Sequence, residues 1–357
     1  MLRSNDQYVP KGNPETEYGL AGARKPGKYF RILAIDGGGV RGIIPTMVLR
    51  YIELRTGRKI HELFNLVSGT STGALLGAVL TVPGEKGEPR YNTDDALGFY
   101  MKECPRIFER TLLGQLMCMS GLAGPRYQAR TKREIVEAYA GELNITDCLT
   151  DILVPAFDVR TGRPYFFKSI TARMDPKYDY KLKDVLDATS AAPTYFRPCK
   201  VIGYDAPSEH GYRSFVDGAI TANSPSLCAT VDAMRIYKEK PDDILVVSLG
   251  CGDADIGLAY DKMSKWGGLK WASYIPSALI SSSMSTVDYH TDELLDDANY
   301  WRFQTKVPSE HADIDNATPE NLKWLKTAGE LLVSHNRERL NALCDLLVEG
   351  MPDMKCY

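Results

Sequence analysis

The sequence predicts an α/β fold: a three-layer sandwich in which a mostly parallel β-sheet is covered by helices on both faces. Two observations carry this. Runs such as 30–35 and 244–249 are apolar without alternation, the pattern of strands buried on both faces. Segments of helical character alternate with them along the chain, the order that builds a parallel sheet. A length of 357 residues is ample for one large core.

Residues 1–28 are polar, rich in Gly and Pro and without periodicity, which predicts a loose arm ahead of a domain over 29–335. The strand at 30–35 runs into Asp36-Gly37-Gly38-Gly39, and 43–54 reads as a helix with Pro45 in its first turn, where a missing N–H does no harm. A second unit follows, with a strand at 63–67, a turn at 69–73, a helix at 74–79 and a solvent loop at 83–89. Residues 92–146 read as mostly helical, and 152–157 as a strand despite Pro155, with Phe166-Phe167 marking a hairpin partner. A helix is predicted at 183–188, a strand end at Phe215-Val216 and the clearest buried strand at 244–249. Residues 256–300 break the rhythm with Trp266, Trp271, Tyr274 and Ile275 beside a serine run, which suggests a surface subregion, a lid or a contact helix. The stretch 319–347 reads as helical with Leu322, Leu325, Leu331 and Leu332 on one side, so that 336–357 form a helical end and tail.

Composition narrows the classes. With 44% hydrophobic and 25% charged residues, the chain is neither a disordered tail nor a fibre nor a small disulfide scaffold. A formal charge of −3 supplies no global attraction for nucleic acid or for anionic lipid, which leaves only a local patch to provide one, and no nucleic-acid partner is expected. The eight cysteines form no Cys-x-x-Cys pair and read as separate thiols of a reducing compartment. With no apolar leader and no run of about 18 apolar residues, the expected location is the cytoplasm, with peripheral contact at a membrane as an option. No metal motif is present, so neither metal nor cofactor is expected.

Three segments carry chemistry. Gly69-Thr70-Ser71-Thr72-Gly73 fits Gly-x-Ser-x-Gly between an apolar strand and an apolar helix. On such a sharp turn the serine hydroxyl is pushed outward, and Gly69 and Gly73 answer the need for small residues where the chain passes close to itself. The plainer alternative is a glycine-rich turn whose Ser71 caps the helix. In Asp36-Gly37-Gly38-Gly39-Val40-Arg41-Gly42, three bare glycines can present N–H groups to an oxyanion or to a phosphate, while Arg41 steadies the loop, pairs with a lipid phosphate or is a plain surface arginine. Asp217, followed by Gly218 at a strand end, is either a carboxylate with room to reach a pocket or a turn-forming Asp-Gly. Of the five histidines none lies in a motif; His290 and His335 are late enough in the chain for a Ser-His-Asp triad.

Together these segments resemble the patatin-like phospholipase family. Its Asp-Gly-Gly-Gly-x-Arg-Gly loop is similar to 36–42, its nucleophile pentapeptide to 69–73 and its Asp-Gly-Ala/Gly to 217–219. Further similarity lies in 188–196, Asn223-Ser224-Pro225 and 318–322, so the resemblance spans about residues 30–335. Ala74, where a second glycine is frequent, and Asn65, where an aspartate is common, are small departures. The resemblance implies a Ser-Asp dyad with Ser71 as nucleophile, Asp217 as base, and Gly37, Gly38 and Gly39 as oxyanion donors. It implies phospholipids, lysophospholipids or other acylglycerols as substrates; such a substrate needs an apolar acyl tunnel, for which Ala191, Ala192, Tyr195 and Phe196 are wall candidates or, equally, plain core. The competing expectations are a carboxylesterase with a Ser-His-Asp triad and a phosphate- or nucleotide-binding module built on the glycine loop. A homo-oligomer and a switched activity are compatible with the sequence, which marks no activator site.

Overall fold

The computed structural model describes residues 24–109, 124–203, 211–254, 256–296 and 298–352. In chain order the main-sheet strands are β1 (Phe30–Ile35), β2 (Leu66–Gly69), β3 (Asp151–Asp158), β4 (Arg163–Lys168), β5 (Cys199–Ile202), β6 (Tyr212–Val216), β7 (Ile244–Leu249) and β8 (Tyr300–Phe303). The longer helices are α1 (Ile43–Thr56), α2 (Thr72–Val79), α3 (Thr93–Ile107), α4 (Ala129–Ala140), α5 (Leu182–Thr189), α6 (Ser226–Arg235), α7 (Gly268–Leu294), α8 (Pro319–His335) and α9 (Arg337–Val348).

Sheet order is β5-β6-β3-β2-β1-β7-β8, with β4 added on β3. The five strands from β3 to β8 along this order are parallel, as the unbroken apolar runs require. The β4, β5 and β6 pairings are antiparallel and form a wing at one edge. Alternation along β1 divides the core: Leu33 and Ile35 face the layer containing α1, α3, α8 and α9, while Phe30 and Ile32 face α6. Helices thus cover both faces, which is the predicted three-layer sandwich.

One discontinuity in the sheet positions everything that follows. Strand β2 pairs with β3 only at Asp151, Ile152 and Leu153. The opposite edge of β3 is taken by β4 from Leu153 to Asp158, so β6, meeting β3 at Phe157 and Asp158, does so on the β2 edge. Between the end of β2 and the end of β6 that edge is open. Pro155 lies there, and its missing N–H leaves no orphan donor in the opening.

Several expectations shift. The strand expected at 63–67 is β2 at 66–69, because 60–63 forms a helical turn in which the Glu62 carboxylate accepts the Lys59 N–H at 2.7 Å. Among the described residues of 92–146 the longer helices are α3 and α4; residues 110–123 lie outside the described set, as do 1–23 of the expected arm. The terminal helix is broken at Asn336 into α8 and α9. Past residue 335, Leu340, Leu343 and Leu347 of α9 join the core that holds α1. Leu331 is not on the inner side of α8, since it stands about 180° from Leu322 at 100° per residue and is 50% exposed.

Leu325→Ala should therefore cost about 2–5 kcal/mol of unfolding free energy, whereas Leu331→Ala should change it by less than about 0.5 kcal/mol. Urea denaturation of the two variants checks the assignment.

Candidate active site

Ser71 occupies the sharp turn between β2 and α2 with φ 53° and ψ −118°, a conformation that costs a non-glycine residue about 1–3 kcal/mol. The flanking glycines make the turn feasible. A Cβ on Gly73 would lie 2.2 Å from the Ile35 carbonyl oxygen, and one on Gly69 would lie 2.4 Å from the Gly73 carbonyl carbon. Hydrogen bonds then hold the strained turn. The Ser71 N–H donates to Thr189 Oγ1 at 3.0 Å, and the Thr189 hydroxyl donates in turn to the Pro155 carbonyl at 2.7 Å.

Asp217 sits at the end of β6, delivered to the open edge beside β2. Ser71 Oγ donates to Asp217 Oδ2 at 2.7 Å, across 146 residues of sequence. The other carboxylate oxygen, Oδ1, accepts the Ala219 N–H at 2.8 Å. Gly218 leaves room for this approach, because a Cβ there would be 2.3 Å from the Pro155 oxygen. The backbone is fixed by the segment that also holds Ser71: the Asp217 N–H donates to the Ala191 carbonyl and the Gly218 N–H to that of Thr189, both at 3.0 Å. Asp217 is buried, and burial pushes its pKa from 3.8 up to about 6, against the Ala219 amide, the Ser71 hydroxyl and the Lys132 charge, which pull it down.

Thr189 and Lys132 are the residues that sequence reasoning missed. Thr189 lay inside the noted stretch 188–196 but had no assigned role; it connects the Ser71 turn, β3 and the Asp217 turn. Lys132, buried on α4, pairs with Asp187 at 2.9 Å and donates to the Ser190 hydroxyl at 3.0 Å, which secures the end of α5 where Thr189 stands. Neither position carries a local signal, since each acts across long sequence separations.

In the glycine loop the three amides are not equivalent. The Gly37 N–H donates to the Asn223 carbonyl at 3.0 Å, so it is committed, unlike the expected open donor. The Gly38 and Gly39 amides have no acceptor among the described residues. Arg41 Nε donates to the Gly38 carbonyl and Nη1 to that of Gly252, each at 3.3 Å, so this side chain braces the loop. Gly39, with φ 58°, needs its glycine, as a Cβ would meet the Ile314 carbonyl oxygen at 2.2 Å.

Ser71 and Gly39 share the wall of a cavity lined mostly by apolar side chains that include Leu75, Phe99 and Phe108. The expected wall residues Ala192, Tyr195 and Phe196 are there; Ala191 is instead packed in the core of the antiparallel wing. No described histidine bonds to Ser71 or Asp217. His290 and His335 are exposed, His311 bonds to Asn321 and stacks on Trp324, and His210 lies outside the described residues. Among the described residues no group of three or more His, Cys, Asp or Glu could hold a metal ion.

The patatin-like phospholipase family model matches residues 33–227, a span that contains the glycine loop, Ser71 and Asp217. The chain belongs to the patatin-like phospholipase family. Patatin-like protein 1 of Arabidopsis thaliana is 32% identical over 88% of this chain and 84% of its own length. Patatin-like protein 1 of Oryza sativa subsp. indica is also 32% identical, over 92% and 86%. Among solved structures, VipD from Legionella pneumophila aligns with a TM-score of 0.42 at 13% identity, covering 86% of this chain and 67% of that one.

Two outcomes follow for this patatin-like site. Folding takes up a proton at Asp217 between its unfolded and folded pKa values, so the buried carboxylate weakens the fold above about pH 6 and has no such effect below about pH 4. Asp217→Asn should raise the unfolding free energy by about 1–3 kcal/mol near pH 8, with the gain vanishing near pH 4, as followed by urea denaturation. Thr189→Val strands the Ser71 N–H and the Pro155 carbonyl and should cost about 1–3 kcal/mol by the same measurement.

Proposed function

We propose that this patatin-like protein hydrolyses acyl esters of phospholipids or other acylglycerols through a Ser71–Asp217 dyad and an acyl-enzyme. The observation that carries the reading is the 2.7 Å hydrogen bond from Ser71 Oγ, in the wall of an apolar cavity, to the buried Asp217 carboxylate. The predominantly apolar lining of that cavity suits an acyl chain.

Ser71 Oγ attacks the ester carbonyl carbon while its proton passes to Asp217 Oδ2, and the carbonyl electrons move onto the oxygen. The Gly38 and Gly39 amides receive that oxyanion, with Gly37 serving to tie the loop to Asn223. Arg41 supports this arrangement. It draws the Gly38 carbonyl toward itself, and in a trans peptide the Gly39 N–H then points the opposite way. Collapse of the tetrahedral intermediate expels the alcohol with the proton from Asp217, and water repeats the sequence on the acyl group.

An ordinary aspartate is a poor base for a serine hydroxyl. Burial narrows that mismatch: near pKa 6, Asp217 is still largely ionised at neutral pH yet more basic than a solvated carboxylate. The exposed positions of His290 and His335 favour the dyad over the Ser-His-Asp alternative.

Labelling of Ser71 by a fluorophosphonate should rise with pH through an inflection near about 6 and then level off, because the reaction requires ionised Asp217. Ser71→Ala should abolish labelling and lipid hydrolysis, and Asp217→Asn should reduce both by about 100-fold or more while the protein stays folded. Hydrolysis of a lipid panel at the wild-type rate by Asp217→Asn would overturn the dyad.

A further inference from the structure

Helix α7 is tied to the fold mainly through its second half; in the first, the Tyr274 hydroxyl donates to the Ile256 carbonyl at 3.2 Å. Of its 27 residues, Thr291 alone is buried. In its second half, Met284 Sδ accepts Asn223 Nδ2 at 2.9 Å, and Asp288 pairs at 3.2 Å with Arg302, which holds Asp36 at 2.6 Å. Asn223 and Asp36 border the glycine loop, so this half of α7 stands beside the site. The first half is in the open. Leu269 is 91% exposed, Leu279 64%, Ile275 44% and Trp271 39%.

These four side chains spread over roughly 160° of the helix circumference at 100° per residue. A surface helix ordinarily turns such a stripe toward its own core; here it faces outward. Trp266, Trp271 and Tyr274 cluster edge to face, with ring centroids 5.4–6.1 Å apart. Lys262, Lys265 and Lys270 are exposed around them, and Asp261 is the sole acid between residues 256 and 287. Ile220, three residues past Asp217 on a short helical turn that packs against α7, is 51% exposed, a further outward apolar side chain close in sequence to the site.

We propose that the first half of α7, with its lysines and aromatic cluster, docks on an anionic lipid surface and sets the rim of the Ser71 cavity against that surface. The ammonium groups complement lipid phosphates, the indoles suit the headgroup level, and Leu269, Ile275 and Leu279 suit the acyl boundary beneath. The inference rests on the acyl-ester reading above, which requires a substrate drawn from a lipid aggregate. A second copy packed along α7 is the competing occupant, since Asp292 and Glu293 at its far end could meet those lysines.

The test is flotation of the full chain with vesicles of phosphatidylcholine alone and of phosphatidylcholine mixed with phosphatidylglycerol. Ser71→Ala should float like wild type without hydrolysing lipid; if it hydrolyses, the catalytic reading fails and docking stands. The triple variant Leu269→Ser, Ile275→Ser, Leu279→Ser should lose roughly tenfold or more of its binding to both vesicle types. Lys262→Gln, Lys265→Gln, Lys270→Gln should lose roughly tenfold or more only on vesicles with phosphatidylglycerol. Turnover of a soluble short-chain ester should be unchanged in both triples. Unchanged flotation of the apolar triple would overturn the proposal, and so would a wild-type dimer, seen by analytical ultracentrifugation, that this triple dissolves.

Discussion

The contact between the Ser71 hydroxyl and the Asp217 carboxylate is the constraint around which the rest of the fold is arranged. It unites the end of a parallel strand with the end of an antiparallel one, and this requires an opening in the sheet that neither β2 nor β6 fills. The β1–β2 pairing fixes one wall of the opening, because Gly73 is pressed against the last carbonyl of β1. The 189–191 segment fixes the other wall through bonds to both turns. A shift of about 1 Å in any of these would break a hydrogen bond whose useful range is narrower than that.

Such an arrangement has a stability cost. The turn at Ser71 holds an unfavourable backbone geometry, and Asp217 is kept from water although its charge would prefer it. Both penalties are met by the surroundings: the apolar strands on each side of β1 and the buried Lys132–Asp187 pair that secures α5. Removing one member of that buried pair would leave an uncompensated charge close to the site.

How much was readable in advance varied with the physics of each segment. β1 and β7 are apolar along their whole length because both faces are buried, and that signal is local. β5 and β8 have four residues each, and β8 carries Arg302, whose charge answers Asp36 elsewhere in the chain, so neither looks like a strand on its own. Ser71 and Asp217 were legible because a tight turn leaves glycines beside them. Thr189 left no such trace, since its partners are 118 and 34 residues away. The three consecutive glycines look alike in sequence; only the position of the Asn223 carbonyl separates Gly37 from the other two.

Pro155 has a consequence for what can occupy the open edge of β3. It has no N–H to offer a further strand, and its carbonyl already accepts the Thr189 hydroxyl. At this residue the edge therefore holds no free backbone group to recruit a neighbour. The slot beside it is left to the carboxylate that β6 delivers.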